Sequence, residues 1–275
     1  MKSLKISTLV LATSMAPLVA QAELQALNDQ SMGQVTGQSG ITIELEAQVQ
    51  LGEFRYEDEG SLAISDIFIG GADRDDMFPE LGFPIPNQAS TAIDNIKIDI
   101  DIMADGDAVF NVLPLYGSPV DFAIRTGKWE LIAQNGPRDG TVLMDNVNVE
   151  GVFGSMRIVI DNQTEKMNVN TRFAVDKLEA DVPFLAMGIR DMQITGAGYG
   201  TAPGESENVV RLFAMADFDI YKAPNAAGVD ALALDINSFD ADMHIGALEL
   251  GGTSIGAVHL DDLSVYNTSM RIYGH

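Results

Sequence analysis

The sequence predicts an all-β fold: an elongated, curved, mainly antiparallel sheet or sandwich, preceded by a short helical or turn segment. Three observations predict it. From residue 41 onward apolar and polar residues alternate with a period of two, as in Ile96-Lys97-Ile98-Asp99-Ile100-Asp101-Ile102, so one side of a pleated strand is dry and the other wet. Turn chemistry separates such segments at Asp105-Gly106, Asn135-Gly136-Pro137, Asp139-Gly140 and Asp161-Asn162-Gln163, where tight hairpins demand residues that tolerate positive φ. The chain also contains no cysteine and 46% hydrophobic residues, so apolar packing and strand pairing, not disulfides, must hold it together.

Taken in order, Lys2 and Lys5 precede an apolar stretch from Ile6 to Ala20, and Ala20-Gln21-Ala22 offers small residues for a signal peptidase. The pattern predicts a secretory leader over residues 1–22, cleaved before Glu23, and an exported protein of the periplasm, outer membrane or cell surface. The stretch falls short of the roughly 20 residues that span a bilayer, and no later run reaches that length, so no transmembrane span is expected. Residues 23–40 form an adaptor, with Leu24, Leu27, Met32 and Val35 at steps suited to a short helix or turn. Residues 41–275 read as a single β-rich domain, opened by Ile41 to Glu46. Further strands are expected at Asp121 to Ile132, Arg157 to Ile160, Met167 to Val175, Arg211 to Ile220 and Met243 to Leu250. Two longer loops, Ala72 to Ser90 and Gly198 to Asn208, interrupt them.

A six-residue pattern recurs within this domain. It is an apolar residue, a polar one, Asp or Asn, then apolar-any-apolar, at Ile64 to Ile69, Ile93 to Ile98, Met144 to Val149, Ile189 to Ile194 and Leu260 to Val265. The apolar step changes from three to two across the Asx residue, as a bulge that resets the strand face requires. The copies are unevenly spaced, which argues against a solenoid of fixed period.

With 40 acidic and 16 basic residues the net charge is -24. Such a surface repels nucleic acid and anionic membranes, both of which need Lys and Arg. No nucleophile elbow, P-loop or His-Glu-x-x-His motif is present, and His244, His259 and His275 meet no ligand spacing. No enzymatic activity and no cofactor are expected. Calcium is the one ion the acidic loops would suit: Asp73, Asp75 and Asp76 share a loop with Glu80, and oxygen ligands on a loop fit that cation. The alternative is a solvated face on which Asp serves turns. Trp129, with Phe122 and Leu131, would line a groove for a hydrophobic ligand or else belong to a core.

The ends of the chain suggest a family. Met32-Gly33-Gln34-Val35-Thr36-Gly37-Gln38-Ser39-Gly40-Ile41, directly after the leader, resembles the start of exported Gram-negative pilus-system proteins of the FilA type, a group described as a domain of unknown function. The run from Ile245 to His275, with Gly251-Gly252-Thr253-Ser254-Ile255-Gly256 and Ile272-Tyr273-Gly274-His275, is similar to their C-terminal ends. The resemblance implies a surface or assembly role with protein partners, and it carries over no active-site residue. Two functional expectations follow. One is a component or accessory of a pilus-like assembly, with residues 23–45 either donated to a partner or closing their own sheet. The other is a periplasmic module holding lipid or another hydrophobic ligand along an apolar sheet face.

Overall fold

Alternation between residues 41 and 272 resolves into thirteen strands of one sheet in the computed structural model, which describes residues 40–84, 88–134, 140–201 and 209–274. These residues fall in one unit running from Gln38 to His275. The leader, nearly all of the adaptor, the Asn135–Asp139 turn and His275 lie outside the described residues. The strands are β1 (Ile41–Ala47), β2 (Val49–Glu57), β3 (Gly60–Gly70), β4 (Ile93–Ile102), β5 (Ala108–Pro114), β6 (Val120–Thr126) and β7 (Trp129–Ala133). They continue as β8 (Thr141–Asp161), β9 (Lys166–Val182), β10 (Met187–Thr195), β11 (Ala214–Pro224), β12 (Asp230–Leu250) and β13 (Thr253–Ile272), with one helical turn, α1 (Met77–Glu80), between β3 and β4. Among the described residues every strand pairing is antiparallel.

Register reduces the thirteen strands to eight long rows. β1 and β2 run end to end as row 1, opposite β4 and β3, which share row 2. β5, β6 and β7 together make row 3, because all three pair with successive stretches of β8, which is row 4. β9 is row 5. β10 and β11 share row 6, since both lie between β9 and β12. β12 is row 7 and β13 is row 8. Connections short in sequence join each row to the next, giving an up-and-down meander in a single sheet. At the β8–β9 turn the Asp161 carboxylate accepts the Gln163 and Thr164 amides at 2.8 and 2.7 Å, and Gly251 and Gly252, both at positive φ, turn β12 into β13.

The recurring Asx pattern marks the places where rows reset their face. Asp66, Asn95, Asn146, Asp191 and Asp262 all adopt φ between 49 and 54°, a left-handed conformation that Asp and Asn tolerate best after Gly. One-residue register shifts accompany the last four, between Leu45 and Ala47, Asp145 and Asn148, Ile189 and Met192, and Ala241 and Met243. In β8 the extra position lets Val142 and Met144 share a face with Val147 and Val149.

Two insertions break the rows, residues 71–92 in row 2 and 196–213 in row 6. Glycines close both necks: Gly71 donates its N–H to the Thr91 carbonyl (3.0 Å) and Gly196 to the Leu212 carbonyl (2.9 Å). The insertions meet over the middle of the sheet, where Ala72, Met77, Phe78, Leu81 and Leu212 pack on Ala123, Val152 and Ala174 of rows 3, 4 and 5. Met77 and Leu212 are completely buried, each contributing about 1.5–3 kcal/mol of apolar burial. Small residues beneath them let the insertions lie close to the backbone. The segment expected as a strand from Arg211 to Ile220 begins only at Ala214. Arg211 to Phe213 belong to the second insertion, because Leu212 turns into this core.

Candidate functional site

Strand pleating and register give the sheet two faces of opposite chemistry. One transverse line runs Ile41, Ile100, Phe110, Ile158, Val169, Phe218, Ile236 and Thr268, each paired directly with the next across all eight rows. The adjacent line runs Thr42, Asp99, Asn111, Arg157, Asn170, Asp217, Ser238 and Tyr266 through the same pairings. Paired residues share a face and neighbours along a strand oppose, and in rows 7 and 8 the register shift at Asn237 and the left-handed Asn267 reset the face between the two lines. One face is therefore apolar along this line from Ile41 in row 1 to Ile236 in row 7, with Thr268 at its row 8 end. Both insertions pack on the other face, and no described element covers the apolar one. The groove residues expected from sequence lie there: Phe122 opposes Gly151 and reaches over it, and Trp129 and Leu131 pair with Ile64 and Leu62. The Trp129 indole N–H donates to Thr126 Oγ1 at 2.7 Å.

On the polar face side-chain amides and carboxylates form ladders. Asp217 accepts hydrogen bonds from Asn168, Asn170 and Asn237, at 2.9, 3.2 and 2.7 Å, and these bonds hold its carboxyl below the usual range against the opposing effect of burial. Asp217, Asn168 and Asn237, together with Arg157, Asp161, Lys166 and Asp219, line an open basin of about 630 Å³. Further along, Asp181 accepts from Asn146 and Arg190, tying rows 4, 5 and 6 together, and Arg190 also reaches Glu249 of row 7. His244 and His259 are directly opposite on rows 7 and 8, and their rings stack at 4.3 Å.

The four acidic residues nominated for calcium divide. Asp76 and Glu80 converge on the Arg74 guanidinium at 2.8 and 2.6 Å, while Asp73 sits at φ 58° with its N–H on the Ser90 carbonyl and Asp75 is exposed. The same guanidinium reaches Glu150 and Asp176 of rows 4 and 5, at 3.3 and 2.8 Å. A cation already occupies the centre of this cluster, supplied by the chain. Among the described residues no group of three or more His, Asp or Glu is arranged to hold a metal ion. Sequence reasoning missed Arg74, although a single arginine within so acidic a loop was the available signal. Beneath the insertion, Asp121 accepts the Ala72 N–H at 2.8 Å, and burial raises the carboxyls of both Asp121 and Asp176.

The two end rows are the remaining candidate surface. Among the described residues row 1 pairs only with row 2, and row 8 only with row 7. Ile41, Val49, Leu51, Phe54 and Tyr56 stand exposed along row 1, as do Ile255, Leu260, Met270 and Ile272 along row 8. Residues 41–45, considered as part of a donated segment, pair with Ile96–Ile100 of their own sheet. Among the described residues no helix is long and apolar enough to cross a membrane.

Comparison with known proteins adds one similarity. No curated protein and no solved structure matches the chain. Residues 1–104, a stretch that includes rows 1 and 2 with the first insertion, match the model of a family of unknown function (DUF6160).

Proposed function

We propose that this chain is a non-enzymatic, exported protein of the cell envelope or cell surface, working as a component or accessory of a pilus-like assembly. The observation that carries the reading is the pair of long rows ending the sheet, each with one backbone edge unpaired among the described residues. An unpaired edge presents a row of N–H and C=O groups, a template for adding another strand. The leader pattern of residues 1–22 supports export, and the FilA-like ends support an assembly role. The acidic groups supply structural bonds: Arg74 gathers four carboxylates and Asp217 three amides, which favours scaffolding over acid–base chemistry. Cell fractionation with surface protease shaving tests the reading. Recovery in the envelope within a high-mass complex is expected, and recovery as a cytoplasmic monomer would reject it.

A second reading rests on the apolar line from Ile41 to Ile236. A continuous apolar face of this extent suits a lipid or another hydrophobic ligand held along the sheet. Mass spectrometry of protein purified without detergent separates the two readings. Lipid that co-purifies in stoichiometric amount favours the ligand-holding module, and lipid-free protein favours assembly.

A further inference from the structure

We infer that the free edge of row 8 takes row 1 of a second copy of this chain, so that molecules add head to tail into one continuous antiparallel sheet. The inference deepens the assembly reading and rests on it for its setting in the envelope. Its own support lies in the two edges.

The sheet repeats every two rows. Non-glycine residues at positive φ within strands fall only in even rows: Asp66 and Asn95 in row 2, Asn146 in row 4, Asp191 in row 6, Asp262 and Asn267 in row 8. Odd rows carry none among the described residues. Inside the molecule an even row with such left-handed positions is followed by an odd row without them three times, at rows 2 and 3, 4 and 5, and 6 and 7. Among the described residues row 8 carries left-handed positions and has no successor, and row 1 carries none and has no predecessor. Joining them reproduces a junction the fold already makes three times.

Direction, length and face agree. An even number of rows leaves the first and last antiparallel, so the junction adds no parallel pair. Row 1 brings strands of 7 and 9 residues to the 20 residues of row 8. The apolar face ends in Ile41 and Ile43 on one side and in Met270 and Ile272 on the other, so pairing extends it unbroken.

Charge selects this junction over row 1 against row 1. The polar side of row 1 carries Glu44, Glu46, Glu53 and Glu57 with Arg55 alone as a cation, and two such rows would set glutamates against glutamates. Row 8 offers His259, Ser264, Tyr266 and Arg271, with Asp261 and Asp262 as its acidic residues, so it opposes row 1 with fewer carboxylates than a second row 1 would. Neither edge contains the Lys or Pro that proteins use to blunt an exposed strand.

The absence of cysteine makes the test direct. Gln50→Cys in row 1 and Ser264→Cys in row 8 are introduced separately and together into the full chain, exported and purified. A short bis-maleimide then links whatever lies near. Mixed single variants are expected to give row 1 to row 8 dimers in preference to row 1 to row 1 dimers, and the double variant a ladder of oligomers. Loss of the ladder is expected for Ile43→Lys in the double-cysteine background, with the strand signal in circular dichroism retained. A monomer linked internally would mean that the sheet closes on itself, and this outcome, a predominance of row 1 to row 1 links, or no linkage each overturns the inference. A ladder from protein that fractionates with the cytoplasm would remove the envelope reading alone, whereas envelope protein without a ladder would remove this inference alone.

Discussion

Arg74 and Asp176 are 102 residues apart in the chain, yet Arg74 Nη1 lies 2.8 Å from Asp176 Oδ2 and ties the first insertion to row 5. The Asp176 and Glu150 side chains are only 9 and 10% exposed, so removing the guanidinium strands the nearly buried Asp176 carboxylate and leaves Glu150 to Arg125 and Asn148. Arg74→Met is expected to cost about 3–5 kcal/mol, the range for breaking a buried pair by deleting one partner. Arg74→Lys should recover only part of this, since one ammonium cannot fork across four carboxylates. Urea denaturation of the three proteins measures the order. Equal stability of wild type and Arg74→Met would show that the cluster holds nothing.

The Asx positions give a sharper test, because backbone conformation alone sets the outcome. Asp191 has φ 49° on row 6, and a Cβ on Gly246 of the facing row would come 3.0 Å from its Cβ. Asp191→Gly should be close to neutral and Asp191→Val should cost about 1–2 kcal/mol, the strain of a left-handed residue with a branched side chain. The same pair of substitutions at Asp66, also left-handed at φ 52°, should behave alike. Thermal unfolding distinguishes these from ordinary strand positions, where Val is favoured over Gly.

The glycine necks make a third prediction. A Cβ on Gly196 would lie 2.4 Å from both the Arg211 and Phe213 carbonyl oxygens, and one on Gly71 would lie 2.3 Å from the Ser90 oxygen. Backbone cannot yield as a side-chain tip can, so Gly196→Ala and Gly71→Ala are each expected to cost about 1–3 kcal/mol. Hydrogen exchange should show the loss concentrated in the insertion that each neck closes, with row 8 unaffected.

What was legible in the sequence was whatever repeats locally. Alternation around Ile96 to Ile102 and the change of step at Asn146 both follow from the pleat of a single strand, so they survive folding unchanged. The insertions were not legible as a core. Asp73, Asp75 and three prolines made residues 72–90 look like a solvated loop, and the helical spacing of Met77, Phe78 and Leu81 was too short to stand out. Arg74, Glu150 and Asp176 meet only because rows 4 and 5 pass under the insertion, a relation between distant segments that no local pattern encodes. The apolar groove residues Phe122, Trp129 and Leu131 share one face only because β6 and β7 break at Gly127, where a Cβ would come 2.6 Å from Ser65 Oγ.

Opposite pKa shifts at two places in the sheet predict a pH dependence with two separate windows. Burial under the insertion raises the Asp121 carboxyl above its ordinary value of 3.8. Its folded form therefore holds a proton more readily than its unfolded form, so the stability it contributes is full below 3.8 and is lost as pH rises through the raised value. Asp235 is the reverse: Tyr221 Oη donates to it at 2.5 Å and Arg271 at 2.9 Å, holding it at about 2. Its contribution is present above 3.8 and lost as pH falls toward 2. Asp121→Asn, which keeps an acceptor for the Ala72 N–H, should match or exceed wild-type stability at pH 7, and the difference should close on acidification before pH 3.8 is passed. Asp235→Asn should be less stable than wild type at pH 7, with its difference closing only between pH 3.8 and about 2. Thermal unfolding of the three proteins across this range checks both signs, and a loss in Asp121→Asn that is present at pH 7 and closes only as pH falls below 3.8 would mean that its carboxylate is stabilised where it lies.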